Sequence, residues 1–491
     1  MKRDRIRKYV LLLMLGALFC VAATPAGPEE GVIPITTSSE EALLLYKQGR
    51  DLSERLRSHE SIKYYEKAIA EDPEFATAYV DLAFVHFITG NPNGFWENFN
   101  KAVALMDKVS EGERLLILVV QAGADDNPTK QKELYLQLVE AYPKDKRAHY
   151  SFGVYYFGQR EYALAIEEFK KAIGLAPDFA PPYNDLGYAY SYLGNYAEAE
   201  KALEKYAELI PDEPNPYDSW AEILMKQGKF DESIEAYKKA LSLDPNFFSA
   251  YVGIGMNLIF KGKLDEGRAQ FQKFHDIAST DGLRRRAIFW MVVSYIDEGK
   301  FDKALEEQQK GYAIAQKNND VSSMSADLNT MGDILLETGK YDEAMAKYLK
   351  AVEIIEKSDR SKEIKEDTKQ GFLCDEAHIA LKKEDLATAK SKAEEYRKQI
   401  ETGHDPLEIQ TYHELAGMIA LHEKRYDDAL KEFNQANQRN PRNLCRMAQA
   451  YEEKGDKVKA KKMWMNAANY NEISYDYVFI RNKAKKRLAE M

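Results

Sequence analysis

The sequence predicts an all-α protein: a right-handed superhelical α-solenoid of about twelve helical hairpins with a C-terminal capping helix. Three observations predict it. Pro143, Pro177, Pro211 and Pro245 recur every 34 residues, and the last three are followed by Asp178, Asp212 and Asn246. A fixed period of that length marks a stacked array in which each unit is one supersecondary element. Small residues stand where two packed helices would cross, as Gly153 with Ala165, Gly187 with Ala199 and Ala221 with Ser233; anything larger would push the axes apart. Composition agrees. With 45% hydrophobic and 30% charged residues, 31 Tyr and 16 Pro, the chain can bury one long core. Its 491 residues therefore need not mean three globular domains.

Taken in order, residues 1–23 read as an export signal. Lys2, Arg3, Arg5, Arg7 and Lys8 precede an apolar run from Tyr9 to Ala23. Val21-Ala22-Ala23 has the small-x-small form that a signal peptidase reads, with Thr24-Pro25-Ala26 a second candidate. The run is shorter than the roughly 20 residues that span a bilayer comfortably; retention as a membrane anchor is the alternative. Lipidation at Cys20 is disfavoured, because the bulky Phe19 precedes it. An exported chain, periplasmic or extracellular, is expected. Residues 24–39 read as a flexible tether.

Residues 40–280 read as regular units beginning near Ala42, Ala76, Gly112, Lys146, Ala180, Pro214 and Phe248. Gly194 and Gly228 suit left-handed caps on first helices, and the prolines end second helices. In the unit from Gly112, Val119 and Gln131 stand where small residues belong, so a distorted crossing is expected. Residues 281–470 continue with longer units from Arg285, Ser325, Gln370, Gln410 and Pro441, and the period change makes Asp276–Arg286 the expected boundary. Charge-rich Glu356–Lys369 reads as a solvated helix extension or a hinge. Residues 471–491 form the capping helix, to which Arg481, Lys483, Lys485, Lys486 and Arg487 give a basic exposed face.

These marks resemble the tetratricopeptide repeat family. The likeness is clearest for Phe152-Gly153, Tyr156, Ala165, Phe169 and Ala172, and for Met331-Gly332, Gly339, Ala344, Tyr348 and Ala351. It covers residues 40 to about 470, and Asp212–Glu222 is similar to a subset of bacterial arrays. The resemblance implies that first helices line a concave surface holding an extended or helical peptide. In that register the inward residues are Tyr150, Val154, Phe157, Asn184, Tyr188, Tyr192, Asp218, Glu222, Met225, Met256, Phe260 and Phe289. Aromatic rings and flexible Met suit peptide side chains. The family's chaperone-binding carboxylate clamp needs Lys then Asn on successive first helices; Tyr150 and Val154, or Asn329 and Asp333, stand at those places instead.

A net charge of -11 and a pI near 5.5 disfavour nucleic acid as a partner, because an acidic surface repels phosphates. No nucleophile motif, phosphate loop or dinucleotide fingerprint occurs. The eight histidines are scattered: His413 and His422 lack zinc-site spacing, and His404-Asp405 falls in a turn. Cys374 and Cys445 read as buried thiols in first helices. No catalytic residue, metal or cofactor is expected. The sequence thus points to a non-catalytic exported scaffold or adaptor that binds a protein or peptide in its groove. A sensor closing around a small molecule or secreted peptide is the alternative. Membrane contact through residues 1–23 follows only if they are retained.

Overall fold

A computed structural model of the chain describes residues 30–125, 127–401 and 406–491. The signal, anchor and lipidation readings of residues 1–23, and the His404-Asp405 turn, lie outside them. Among the described residues there are 25 α-helices and no strands. They pair in sequence as antiparallel hairpins: α1 (Glu40–Glu54) with α2 (Ser58–Glu71), α3 (Ala76–Ile88) with α4 (Pro92–Ala104), α5 (Glu111–Ala124) with α6 (Pro128–Ala141), α7 (Lys146–Gly158) with α8 (Tyr162–Leu175), and α9 (Pro181–Tyr192) with α10 (Tyr196–Leu209). Next come α11 (Asn215–Lys226) with α12 (Phe230–Leu243), α13 (Phe248–Phe260) with α14 (Leu264–Ile277), and α15 (Asp281–Glu298) with α16 (Phe301–Lys317). The last are α17 (Val321–Glu337) with α18 (Tyr341–Glu356), α19 (Lys362–Lys382) with α20 (Leu386–Ile400), α21 (Pro406–His422) with α22 (Tyr426–Phe433), and α23 (Pro441–Glu453) with α24 (Lys457–Ala468). A single helix, α25 (Tyr475–Ala489), ends the chain. The fold is an α-solenoid.

The crossings explain the small residues. A Cβ on Gly153 would lie 2.5 Å from the Phe169 ring, and one on Gly332 would lie 2.4 Å from the Tyr348 ring. Ser233 Oγ donates to Ala221 O at 2.7 Å across its crossing. In the hairpin from Gly112, where a distorted crossing is expected, Gln131 Nε2 donates to Val119 O at 3.3 Å. A long side chain is accommodated by bonding the facing backbone. Gly194 and Gly228 take left-handed φ of +75° and +76°, and Arg160 holds the equivalent turn at +61°. The turn geometry, more than the residue, is common to these hairpins.

The helices divide into two compact units, up to Ile210 and from Pro211, rather than near residue 281. Longer helices change the period there, but α14 packs on α15 without interruption. In the first unit, residues 31–39 are not a flexible tether. They form an extended strap along the N-terminal ends of first helices. Lys144 N–H donates to Gly31 O at 2.8 Å, and Ile33 N–H donates to Asp145 Oδ2 at 3.1 Å. Ser110 Oγ donates to Pro34 O at 2.9 Å. The buried Glu113 carboxylate accepts from Thr36 N–H (2.9 Å), Thr36 Oγ1 (2.5 Å), Thr77 Oγ1 (2.5 Å) and Ser110 N–H (3.0 Å). Asp72 accepts from Thr37 Oγ1 (2.6 Å) and Ser38 N–H (2.9 Å). Local composition cannot show carboxylates that lie 34 to 112 residues away in the chain.

In the second unit, α25 is more than a solubilising end cap. It folds back and packs on α15 as well as on α23 and α24. Its Tyr477, Val478, Ile480 and Ala484 enter one core with Met256, Ile259, Phe260 and Val293, and each such large side chain contributes about 1.5–3 kcal/mol on full burial. Arg481, expected on the exposed basic face, is 5% exposed. It pairs with Asp297 at 2.9 and 3.1 Å and donates to Phe260 O at 2.6 Å. The other four basic residues are exposed. Glu356–Lys369 is the short turn after α18 and the exposed first turns of α19, joined by Lys369–Glu356 at 2.8 Å. From Lys362 on, it is the solvated helix extension.

Candidate functional site

First helices of the first unit line a cavity of about 400 Å³. α1 supplies Tyr46, Arg50 and Glu54; α3 supplies Val80, Asp81, Phe84 and Ile88; α5 supplies Leu116, Ile117 and Val120. α7 adds Arg147, Tyr150 and Ser151, α9 adds Asn184 and Asp185, and Tyr206 enters from α10. The curl of the array brings α7 back to α1. Arg147 donates to Glu54 Oε1 from Nε at 2.8 Å and from Nη2 at 2.6 Å, across 93 residues. Its guanidinium also lies over the Phe179 ring, 5.5 Å from the centroid.

The polar lining separates into two groups. At the α1 end, Arg50 stacks on Tyr46 at 5.1 Å, and Glu54 serves both arginines. Asp81 faces the cavity, and burial raises its pKa, although Arg50, a hydrogen bond from Tyr46 and Arg147 all act to lower it. At the α9 end, Asp185 accepts from Tyr150 Oη at 2.9 Å and weakly from Asn184 Nδ2 at 3.5 Å. Burial pushes Asp185 up to about 6 against those two bonds. Asn184 Oδ1 is buried without a hydrogen-bond partner. Phe84, Ile88 and the α5 side chains give an apolar wall, with Phe84 and Ile88 still 42% and 63% exposed. A concavity of this size, with an apolar wall and polar groups that can fix a ligand's orientation, has the character of small binding sites.

Of the residues expected in the groove, Tyr150 and Asn184 line this cavity. Val154 is 43% exposed and does not line it. Phe157, Tyr188 and Tyr192 form a half-buried aromatic ladder beside it, with Phe157–Tyr192 centroids at 5.7 Å and Tyr188–Tyr192 at 6.4 Å. In the second unit, Asp218 is buried and its carboxyl is raised well above the ordinary range by burial and then by Glu222. Met225, Met256 and Phe260 need correction: they are 1%, 0% and 5% exposed in the core that α25 completes. Phe289 packs on Tyr475 with centroids 5.7 Å apart. Phe260 and Phe289 are covered by the chain's own last helix, through Tyr477, Arg481 and Tyr475.

Arg50, Asp81 and Asp185 were not among the expected contacts, yet the repeat contains a signal for them. Asp81, Ser151 and Asp185 each follow their unit starts, Ala76, Lys146 and Ala180, by five residues. Arg50 holds in the first unit the place of Val154 in the fourth, eight residues after its start. The tight curl turns that fifth position into the groove beside the fourth. Among the described residues no three His, Cys, Asp or Glu side chains converge as a metal site, and no helix is long and apolar enough to cross a membrane. Cys374 and Cys445 are both buried.

Four tetratricopeptide repeat models match the chain, over residues 46–105 and 132–178, 156–218, 221–256 and 328–358. A search of curated proteins finds no match. Solved structures with a similar arrangement include a MamA protein, 25% identical over 33% of this chain and 88% of that one, TM-score 0.30. Another is pilF of Pseudomonas aeruginosa, 16% identical over 43% and 95%, TM-score 0.33. A third is YrrB, described as a TPR protein with an unusual peptide-binding site, 23% identical over 37% and 91%, TM-score 0.28.

Proposed function

Since this chain is a tetratricopeptide repeat protein, we propose that it is a non-catalytic scaffold that binds a peptide segment of a partner protein in the groove of its first unit. The carrying observation is a contrast between the two units. The first keeps an open cavity lined by Tyr150 and Asn184, whereas in the second α25 packs over Phe260 and Phe289, two of the residues expected to bind there. Catalysis would need a nucleophile or acid–base pair aligned for a reacting atom. Asp81 and Asp185 instead bond to Tyr46 and Tyr150 and line an amphipathic hollow.

The test is capture of a partner by the purified chain from an envelope extract. Tyr150→Ala and Asn184→Ala should each abolish capture, whereas Met256→Leu, buried in the other unit, should leave it intact. Capture that survives both alanine changes would remove the groove from the proposal. Export belongs to the same proposal and rests on Lys2–Ala23 alone. N-terminal sequencing of the natural protein should begin at Thr24 or Gly27, and a chain still starting at Met1 would contradict cleavage.

A further inference from the structure

We infer that the α9 end of this cavity recognises one cationic side chain, an ammonium or guanidinium, presented by the bound peptide next to an apolar residue. This rests on the groove reading above and adds the chemistry of the ligand. Asp185 is a half-buried carboxylate on the cavity wall whose hydrogen bonds come from neutral groups, Tyr150 Oη and Asn184 Nδ2. Beside it, Asn184 Oδ1 is a second acceptor with nothing donated to it. Two acceptors facing a cavity and short of donors define a place for a group that is all donor and positively charged. An ionised carboxylate out of water is costly unless paired, so its partner is a cation rather than a neutral amide. The other acids of the lining are already engaged. Glu54 holds Arg147 and Arg50, Asp81 lies in the field of both arginines, and Glu113 is saturated by Thr36, Thr77 and Ser110. Both arginines are held by Glu54 at the other end of the lining.

The second unit shows the same chemistry completed from within the chain. There a guanidinium, that of Arg481, inserts between a first-helix carboxylate and an aromatic ring. It pairs with Asp297, donates to Phe260 O, and lies over the Phe260 ring at 4.9 Å. In the first unit the carboxylate is Asp185, the free acceptor is Asn184 Oδ1, and Tyr150 is the adjoining ring. The apolar neighbour of the incoming cation meets Val80, Leu116 and Val120, with Phe84 at the exposed edge.

The test uses the full chain and end-capped heptapeptide pools, randomised at six positions and fixed at the centre as Arg, Lys, Gln, Leu or Glu. Bound material is quantified by mass spectrometry. The Arg or Lys pool should be retained at least tenfold over the Leu and Glu pools. Asp185→Asn should reduce that preference to within about twofold, whereas Asn184→Asp, which adds a carboxylate, should widen it. Retention of all pools with no charge preference would overturn the cationic assignment and leave the groove reading standing. Retention of none would overturn both. Free agmatine binding as tightly as the Arg pool would overturn the assignment to a peptide side chain. If Asp185→Asn fails to fold by circular dichroism, the widened preference of Asn184→Asp remains the deciding result.

Discussion

Replacing Asp185 by Asn should stabilise the first unit near neutral pH and leave it unchanged in mild acid. Burial raises the carboxyl from 3.8 to about 6, so the folded state holds its proton more tightly than the unfolded chain does. Below pH 3.8 both states are protonated and there is no penalty. Between 3.8 and 6 the unfolded chain ionises first, so stability falls as pH rises, and above 6 the whole cost is present. A shift of roughly two units at about 1.36 kcal/mol each sets a ceiling near 3 kcal/mol. Asn keeps an oxygen to accept from Tyr150 but forgoes the stronger bond to a charged acceptor. The expected gain is therefore about 1–3 kcal/mol at pH 7.5 and close to zero at pH 4. Hydrogen exchange measured by mass spectrometry on peptides from α7 and α9 reports local opening free energies directly. Equal effects at the two pH values, or a loss of protection at pH 7.5, would refute the view that Asp185 is a half-buried carboxylate without a cationic partner. The same substitution should weaken a cationic ligand, so stability and binding should move in opposite directions.

Arg481→Met should destabilise the second unit by about 3–5 kcal/mol in urea unfolding, because Asp297 is left buried without its cation. Adding Asp297→Leu should restore most of the loss. Gly153→Ala should cost about 1–3 kcal/mol, since the new methyl meets the Phe169 ring at 2.5 Å. Gly174→Ala, on the open face of α8 with nothing within 4 Å, should instead stabilise by up to about 1 kcal/mol; thermal unfolding separates the two. Glu113→Gln should release the strap, because one amide cannot accept from Thr36, Thr77 and Ser110 as the carboxylate does. Limited proteolysis should then cut within residues 31–39 of the variant well before the native chain.

Much of this molecule was legible along the chain. The 34-residue beat, the small residues at Gly153 and Gly332 and the stops at the prolines are local requirements of two helices packing against each other. Each unit repeats those requirements, so the unit starts and the all-α solenoid followed from pattern alone. Tyr150 and Asn184 line the cavity from the repeat positions that the resemblance places in the groove. What the pattern could not contain is how far the array curls and what its ends meet. Arg147 reaches Glu54 across 93 residues, Ile33 reaches Asp145 across 112, and Arg481 reaches Asp297 across 184. Those contacts decide that Arg50, Asp81 and Asp185 enclose a cavity, that residues 31–39 are a strap, and that Met256 and Phe260 belong to a core. Repeat periodicity specifies each hairpin and its neighbour. The small rotation from one hairpin to the next, summed along the array, is a tertiary quantity, and it sets which groove stands unfilled and which the chain fills itself.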